Sequence, residues 1–526
     1  MPDPSQEHYM PGQLTRAVAS IALLPLTVSA QTHHANAASI AHLVDSLSAR
    51  AIADKIAPAL GVAVTMDGKT ILAKSYGLAD VTAGIPADDN TLWYLASTSK
   101  SFTGFGISLL ADKGVLSFNT PITKLLPGVK WNPEVHADSL TLARFLSHTH
   151  YINDQAVVSS AAFTGAIPES RWPDLIQLAG PNPTHDLVYS NFGYNVAAMV
   201  IDRLRPEGWR KYLEKNVNEP AGLHQTFMRI SGIDPKRIAQ PGDFTAAGKY
   251  VTAPFQKSDR TMNSAGGHIS TVHDLARWTI VQMDSGVIDG KRVFPKGAVV
   301  LSQTLIAKHT RDQSKKFAFF DREGWGAGWD IGSYEGERMV SRFGSYAQTR
   351  SHLSFLPGRR IGVVAMSTGG PSVVTDVIAA YAYDLEAGRP DAAERAESRM
   401  NDLRKAVVGA SLGIARQDST RAARQTQPLQ HPWEDFEGTY AEPAYGTVVF
   451  KMCGGKLQYR WGDLYGPVEI YDASKNQMRV IIAGSGNVAT FSFPQTGAAQ
   501  SVELQGVTFK RGAPDGRGCP KIQGSN

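Results

Sequence analysis

The sequence predicts an α/β fold with two parts: an antiparallel sheet flanked by helices and interrupted by an all-helical region, then a small all-β barrel. Three observations carry this. Strand patterns stand at both ends of a long first section, at 61–73 and again between 325 and 366, with helical and loop-rich sequence between them. From Glu386 to about Gln430 the composition turns to alanine, arginine and polar residues, as in a helical connector. Between Phe436 and Arg511 short β-rich runs recur with turn residues between them.

Taken in order, the apolar run Ala17 to Ala30 follows Arg16 and precedes the small-residue sites Val28-Ser29-Ala30 and Ala35-Asn36-Ala37, the pattern of a cleaved secretory signal over 1–37. Asp3 and Glu7 fit its basic end badly and favour Met10 as the start. Ile40, Leu43, Leu47 and Ile52 fall on one side of a helix over Ser39 to Ile56. Gly61 to Met66, the turn Asp67-Gly68 and Thr70 to Ala73 form a hairpin. Helices and loops fill Ser97 to about Met283. Strands follow at Trp325 to Ser333, Arg338 to Phe343, Ser351 to Phe355 and Ile361 to Met366, and a helix at Val373 to Leu385. The organisation expected is a signal over 1–37, a first domain over 38–385, a helical linker over 386–430, a barrel over 431–515 and a tail over 516–526.

With 526 residues, 42% of them hydrophobic, the chain has material for at least two cores and is neither disordered nor fibrous. Its net charge of +5 is spread thinly, with no dense basic block, so nucleic acid is not an expected partner. No run reaches the roughly 20 apolar residues of a membrane helix. Cys453 and Cys519 fit either one disulfide or two free thiols.

Chemistry concentrates at Ser97-Thr98-Ser99-Lys100, which follows a strand ending near Leu95 and opens a helix. Lys100 should rise one turn above Ser97 on the same face, placing an amine beside a hydroxyl. A serine attacks once something takes its proton, and a lysine can do so when burial or a nearby cation lowers its pKa. A helix N-cap serine with a solvated lysine fits the same four residues. Tyr189-Ser190-Asn191 precedes a second helical stretch, where a tyrosine could relay that proton. Arg342-Phe343-Gly344-Ser345 lies on a strand expected to face the site. Gly344 would admit substrate backbone, and the N–H groups of Ser345 and Ser97 could form an oxyanion hole.

These motifs, with Leu109 to Ser117, Arg144 to Thr149 and Gly266 to Thr271, resemble the serine β-lactamase and penicillin-binding superfamily in its class C, DD-peptidase, D-aminopeptidase and esterase branch. The resemblance runs from about Ile56 to Leu385. It implies a class C β-lactamase-like sandwich with the site between the helical region and the sheet. Ser97 is then the acylated nucleophile, Lys100 its base, Tyr189 the proton relay, and Asn191 a holder of the substrate amide or of Lys100. It also likens the C-terminal addition to the lipocalin-like barrel of D-aminopeptidase and related members. No cofactor and no metal is implied.

The third motif departs from the family. Arg342-Phe343-Gly344 stands where members carry Lys-Thr-Gly or His-x-Gly, and Gln348-Thr349 replaces Gly-Phe, with Pro357 keeping the register. Arginine can anchor a carboxylate but holds its proton, so a substrate with a nearby carboxylate is expected and efficient β-lactam hydrolysis is not. Gly409 to Gly413 matches G-x-S-x-G but lies in the helical connector, without the strand that a nucleophile elbow needs. His148, His150, His268 and His273 lack ligand spacing and read as loop or helix-terminus histidines. The expectation is an exported serine hydrolase, secreted or periplasmic, acting through an acyl-enzyme on a small-molecule or peptide amide or ester, its oligomeric state open. The alternatives are a β-lactamase or DD-carboxypeptidase, and a non-catalytic exported binding protein with a decayed site.

Overall fold

The computed structural model describes residues 36–153, 155–182, 188–253, 255–310, 319–514, 516 and 518–519. Residues 1–35, on which the expected signal segment falls, and all but three residues of the expected tail lie outside the described residues.

Helix α1 (Ala37–Ala53) is capped by Asn36, whose Oδ1 accepts the Ser39 N–H at 2.8 Å, a bond worth about 1 kcal/mol. Strands β1 (Ala59–Met66), β2 (Lys69–Asp80) and β3 (Ile85–Pro86) follow. The helical region supplies α2 (Lys100–Asp112), α3 (Phe192–Leu204) and α4 (Val272–Met283). The chain then returns through β4 (Ala307–Lys308), β5 (Asp321–Trp325), β6 (Asp330–Tyr334), β7 (Glu337–Tyr346), β8 (Thr349–Leu356) and β9 (Ile361–Ser367). These nine strands make one antiparallel sheet in the order β4-β5-β6-β7-β8-β9-β1-β2-β3.

The central strands β1 and β9 are buried nearly throughout, because helices cover both faces of the sheet. On one face α1 and α5 (Val374–Glu386) pack over Val62, Val64 and Val363, joined by the start of α6 (Ala392–Gln425). On the other, α2, α3 and α4 enclose the larger core that includes Phe102, Phe105 and Trp278. The expected single strand over Trp325 to Ser333 is in fact two, β5 and β6, broken at Gly326-Ala327-Gly328. The reason is a close approach: Gly328 has φ of +89° and passes against the Lys100 carbonyl, where a side chain would collide.

Helix α6 runs for 34 residues and leads to the second sheet. Its strands are β10 (Gly438–Glu442), β11 (Gly446–Cys453), β12 (Lys456–Trp461), β13 (Leu464–Pro467), β14 (Glu469–Asp472), β15 (Gln477–Ile482), β16 (Ser485–Ser492), β17 (Ser501–Leu504) and β18 (Val507–Arg511). Their order, β13-β12-β11-β10-β18-β17-β16-β15-β14, brings two strands joined by Val468 to the opposite ends, so the sheet curls into a nearly closed barrel. Phe450, Tyr459, Trp461, Phe491 and Phe509 fill its interior. Cys453 and Cys519 are joined in a disulfide, which settles the pairing left open by the sequence.

The barrel docks through the segment preceding α4. Gln256 donates to the Tyr465 carbonyl at 3.2 Å, while Ser258 and Arg260 both engage Asp463. The barrel turn at Ala483-Gly484 packs against Ala347, in the turn between β7 and β8. Among the described residues no helix is long and apolar enough to cross a membrane.

Candidate active site

Ser97 stands where the short strand Trp93–Tyr94 gives way to a 3₁₀ turn, Ala96–Ser99, that feeds α2. Ala96, immediately before it, adopts φ of +45°, a left-handed conformation uncommon for a residue with a side chain and concentrated at functional sites. The turn and helix carry Lys100 back over the serine, with Nζ 3.1 Å from Ser97 Oγ. Lys100 is fully buried. Its amine also donates to Asn191 Oδ1 at 2.6 Å and to the Ala265 carbonyl at 2.7 Å, so all three of its directions are fixed.

The second side of the serine is Tyr189, at the approach to α3. Its hydroxyl donates to Ser97 Oγ at 2.6 Å, although the residue as a whole is 44% exposed. The ring leans on His148, 4.5 Å away between centroids, and on Trp325. His148 is buried at the end of the short helix Leu142–Leu146, and its Nδ1 accepts the Ser190 N–H at 3.2 Å. It buttresses the tyrosine. His150 stacks on Phe145 and His268 on Phe102; all three histidines lie outside helices and strands, as the sequence suggested, and are buried in aromatic packing. Among the described residues no group of three or more potential ligands could hold a metal ion.

Strand β7 closes the third side. Arg342, Gly344 and Tyr346 alternate onto the face that meets Ser97. Arg342 Nε donates to the Ser97 carbonyl at 3.0 Å, Nη2 to the Tyr189 hydroxyl at 2.9 Å, and Nη1 lies 3.4 Å from Asp330 Oδ2. Its side chain is 1% exposed. The sequence reading gave this arginine to a substrate carboxylate; the geometry instead directs it inward, behind the serine and tyrosine. Gly344 lies directly over Ser97, and a Cβ there would run into the Leu95 carbonyl and stand 2.8 Å from the Ser97 nitrogen. Ser345 follows at the exposed edge, where Arg350 reaches its Oγ at 3.2 Å.

Two pKa values are set by this enclosure. Burial pulls the Lys100 ammonium down and the Arg342 charge adds to it, outweighing the opposing pull of Tyr189, to about 8. Burial alone would raise the Tyr189 phenol; the charges of Lys100 and Arg342, with hydrogen bonds from Lys100 and Ser97, outweigh it and bring the phenol down to about 8. A lysine and a tyrosine with nearly equal proton affinity thus flank one hydroxyl, each deprotonated in part near neutral pH and so available as a base.

The sequence named Ser97, Lys100, Tyr189, Asn191, Arg342, Gly344 and Ser345; the fold joins the first six through the contacts above and leaves the Ser345 side chain at the exposed edge with Arg350. The sequence reading gave no site role to Asp330, His148, Trp325 or the Ala265 carbonyl, although His148 lies in the Arg144 to Thr149 motif and Ala265 directly precedes Gly266-Gly267.

The β-lactamase family profile matches residues 43–388. The chain belongs to the β-lactamase family. As a member it is a serine hydrolase of the β-lactamase-related type. Penicillin-binding protein 4 of Amycolatopsis lactamdurans is 25% identical over 321 residues, 60% of this chain and 81% of that protein. Protein flp of Staphylococcus aureus strain NCTC 8325 / PS 47 is 23% identical over 233 residues, 43% of this chain; the match spans about half of flp, 46%. Among solved structures, the octameric penicillin-binding protein homologue from Pyrococcus abyssi superposes with a TM-score of 0.56 at 20% identity, covering 89% of this chain and 99% of that one. D-amino acid amidase from Ochrobactrum anthropi SV3 does so with a TM-score of 0.53 at 18% identity, covering 68% and 99%. These two likenesses show that the β-lactamase fold, and in the Pyrococcus case most of the whole chain, is shared.

Proposed function

We propose that the protein is an exported hydrolase that forms an acyl-enzyme on Ser97 with a small amide or ester substrate and releases the acyl group to water. The observation that carries this reading is the position of Ser97 Oγ, 2.6 Å from the Tyr189 hydroxyl and 3.1 Å from Lys100 Nζ. Tyr189 as phenolate, or neutral Lys100, takes the serine proton as Oγ attacks the carbonyl carbon. The N–H groups of Ser97 and Ser345 hold the resulting oxyanion. Tyr189 then gives a proton to the departing amine or alkoxide as its bond to carbon breaks. The same groups activate the water that cleaves the ester to Ser97, restoring the serine. Arg342 supplies fixed positive charge that favours phenolate on Tyr189, and Asn191 orients Lys100.

Small peptides, D-amino-acid derivatives and carboxylic esters are the substrate classes this reading takes; the likeness to the Ochrobactrum D-amino acid amidase and to the Amycolatopsis penicillin-binding protein favours amides. Export rests on the apolar segment Ala17 to Ala30, and a disulfide suits the same compartment. The test is hydrolysis of a short p-nitrophenyl ester by wild type and Ser97→Ala. Loss of activity in the variant is expected, and equal rates would refute Ser97 as nucleophile.

A further inference from the structure

We propose that Lys257 recognises the acyl half of the substrate, and that the group it takes is a carboxylate at the end of a chain of about four methylenes. The inference deepens the Ser97 acyl-enzyme reading and rests on it.

Lys257 is 8% exposed and lies in a box of aromatic rings, its Nζ 4.1 Å from the ring centre of Tyr346, 5.4 Å from Phe163 and 5.6 Å from Tyr94. Among the described residues Nζ has no hydrogen-bond acceptor and no carboxylate partner. Asp463, which the barrel brings to the same segment, is taken by Arg260 and Ser258. Tyr94 and Tyr346 are held in their neutral phenol form by burial. Aromatic faces attract an ammonium but return only part of the hydration it loses, and a buried cation without a counter-ion is costly. The box is therefore a place where an anion is wanted.

Its position says whose anion. Arg342, Gly344 and Tyr346 share one face of β7, and alternate residues on a strand stand about 7 Å apart. Arg342 touches Tyr189, Gly344 covers the nitrogen of Ser97, and Tyr346 carries the Lys257 amine. Tyr94, another wall, precedes Ser97 by three residues. The amine thus lies one strand repeat beyond the reacting carbonyl, on the side away from Tyr189. Tyr189 serves the leaving group, so the opposite direction belongs to the acyl chain. Burial lowers the Lys257 pKa to about 7, so a carboxylate that restores its charge gains more there than at a solvated lysine.

The test compares the mono-p-nitrophenyl ester of adipic acid with p-nitrophenyl hexanoate, in wild type, Lys257→Met and Ser97→Ala. Wild type is expected to favour the adipoyl ester at least tenfold in kcat/KM, through KM. Lys257→Met should lose that preference while hydrolysing the hexanoate within twofold of wild type, which also shows that it is folded; Lys257→Gln serves if it is not. No preference in wild type, or an equal fall with both esters in the variant, overturns the proposal. If Ser97→Ala leaves both rates unchanged, it is the acyl-enzyme reading that fails. Calorimetric titration of adipate into Ser97→Ala, with and without Lys257→Met, then decides Lys257 separately: a tenfold weaker Kd in the double variant supports the carboxylate site, and equal Kd values overturn it.

Discussion

Arg342 donates from Nη2 to the hydroxyl of Tyr189 at 2.9 Å, and it does so from a position where water cannot reach it. An arginine in that place cannot trade protons, so its contribution is a permanent charge beside the phenol. The same charge depresses Lys100, and the proton affinities of both flanking groups depend on it.

Replacing Arg342 by glutamine removes that charge. Both the phenol and the amine should then hold their protons to higher pH. Since attack needs one of them deprotonated, the acid limb of the kcat/KM profile, expected near pH 8 in the wild type, should move up by about one unit. The two groups titrate as a pair, so the limb reports the pair and not one residue. A pH–rate series on an ester substrate measures it, and an unmoved limb would show that the arginine does not tune the base.

Gly344→Ala should cost both stability and rate. The added methyl meets the Leu95 carbonyl and the Ser97 nitrogen, backbone atoms that can yield only by shifting β7 or the serine turn. A loss of about 1–3 kcal/mol is expected from the overpacking, and on the order of 10²-fold in kcat from displacement of the nucleophile. Thermal melts paired with steady-state kinetics check this; full activity would mean that Ser97 tolerates movement.

Asp384→Asn should destabilise without touching the chemistry. The Asp384 carboxylate is fully buried on α5, within 3.4 Å of Arg389, Arg395 and Arg399, and accepts from the Tyr334 hydroxyl at 2.7 Å. It ties α5 to the start of α6. Arg389, Arg395 and Arg399 keep contact with water and the first two also meet Glu335, so neutralising Asp384 costs about 1 kcal/mol. Denaturant unfolding should register this, with kcat/KM kept within about threefold.

Opening the Cys453–Cys519 bridge should act on the barrel alone. The two residues are 66 apart in sequence, and in the chain-entropy model a loop of that size contributes about 4 kcal/mol. The Cys453→Ala/Cys519→Ala variant is expected to lose barrel stability, seen as an earlier transition by calorimetry, while the initial rate at low temperature stays unchanged.

Much of this molecule was legible in the chain because its signals are local. Ser97 and Lys100 are one helical turn apart, the Asp67-Gly68 hairpin is written in its turn residues, and β9 shows as a continuous apolar run. What escaped reading depends on distant partners. Asp330 earns its place only by meeting Arg342 and Arg322 across the sheet, and nothing in its own neighbourhood marks it. Strands β13 and β14 are four residues each and share one turn around Val468, too short for alternation to show. The inward course of Arg342 was likewise invisible, since side-chain direction across a site depends on which neighbour is buried with it.

The segment from Gln256 to Ala265 is at once the seam between the two folds and a wall of the catalytic cleft. Its Gln256, Ser258 and Arg260 fasten the barrel, Lys257 stands over the face of β7, and Ala265 offers its carbonyl to Lys100. A recombinant that kept the hydrolase but swapped or trimmed the barrel would leave this stretch without its anchor, and the loss would be felt at its far end, where Ala265 meets Lys100.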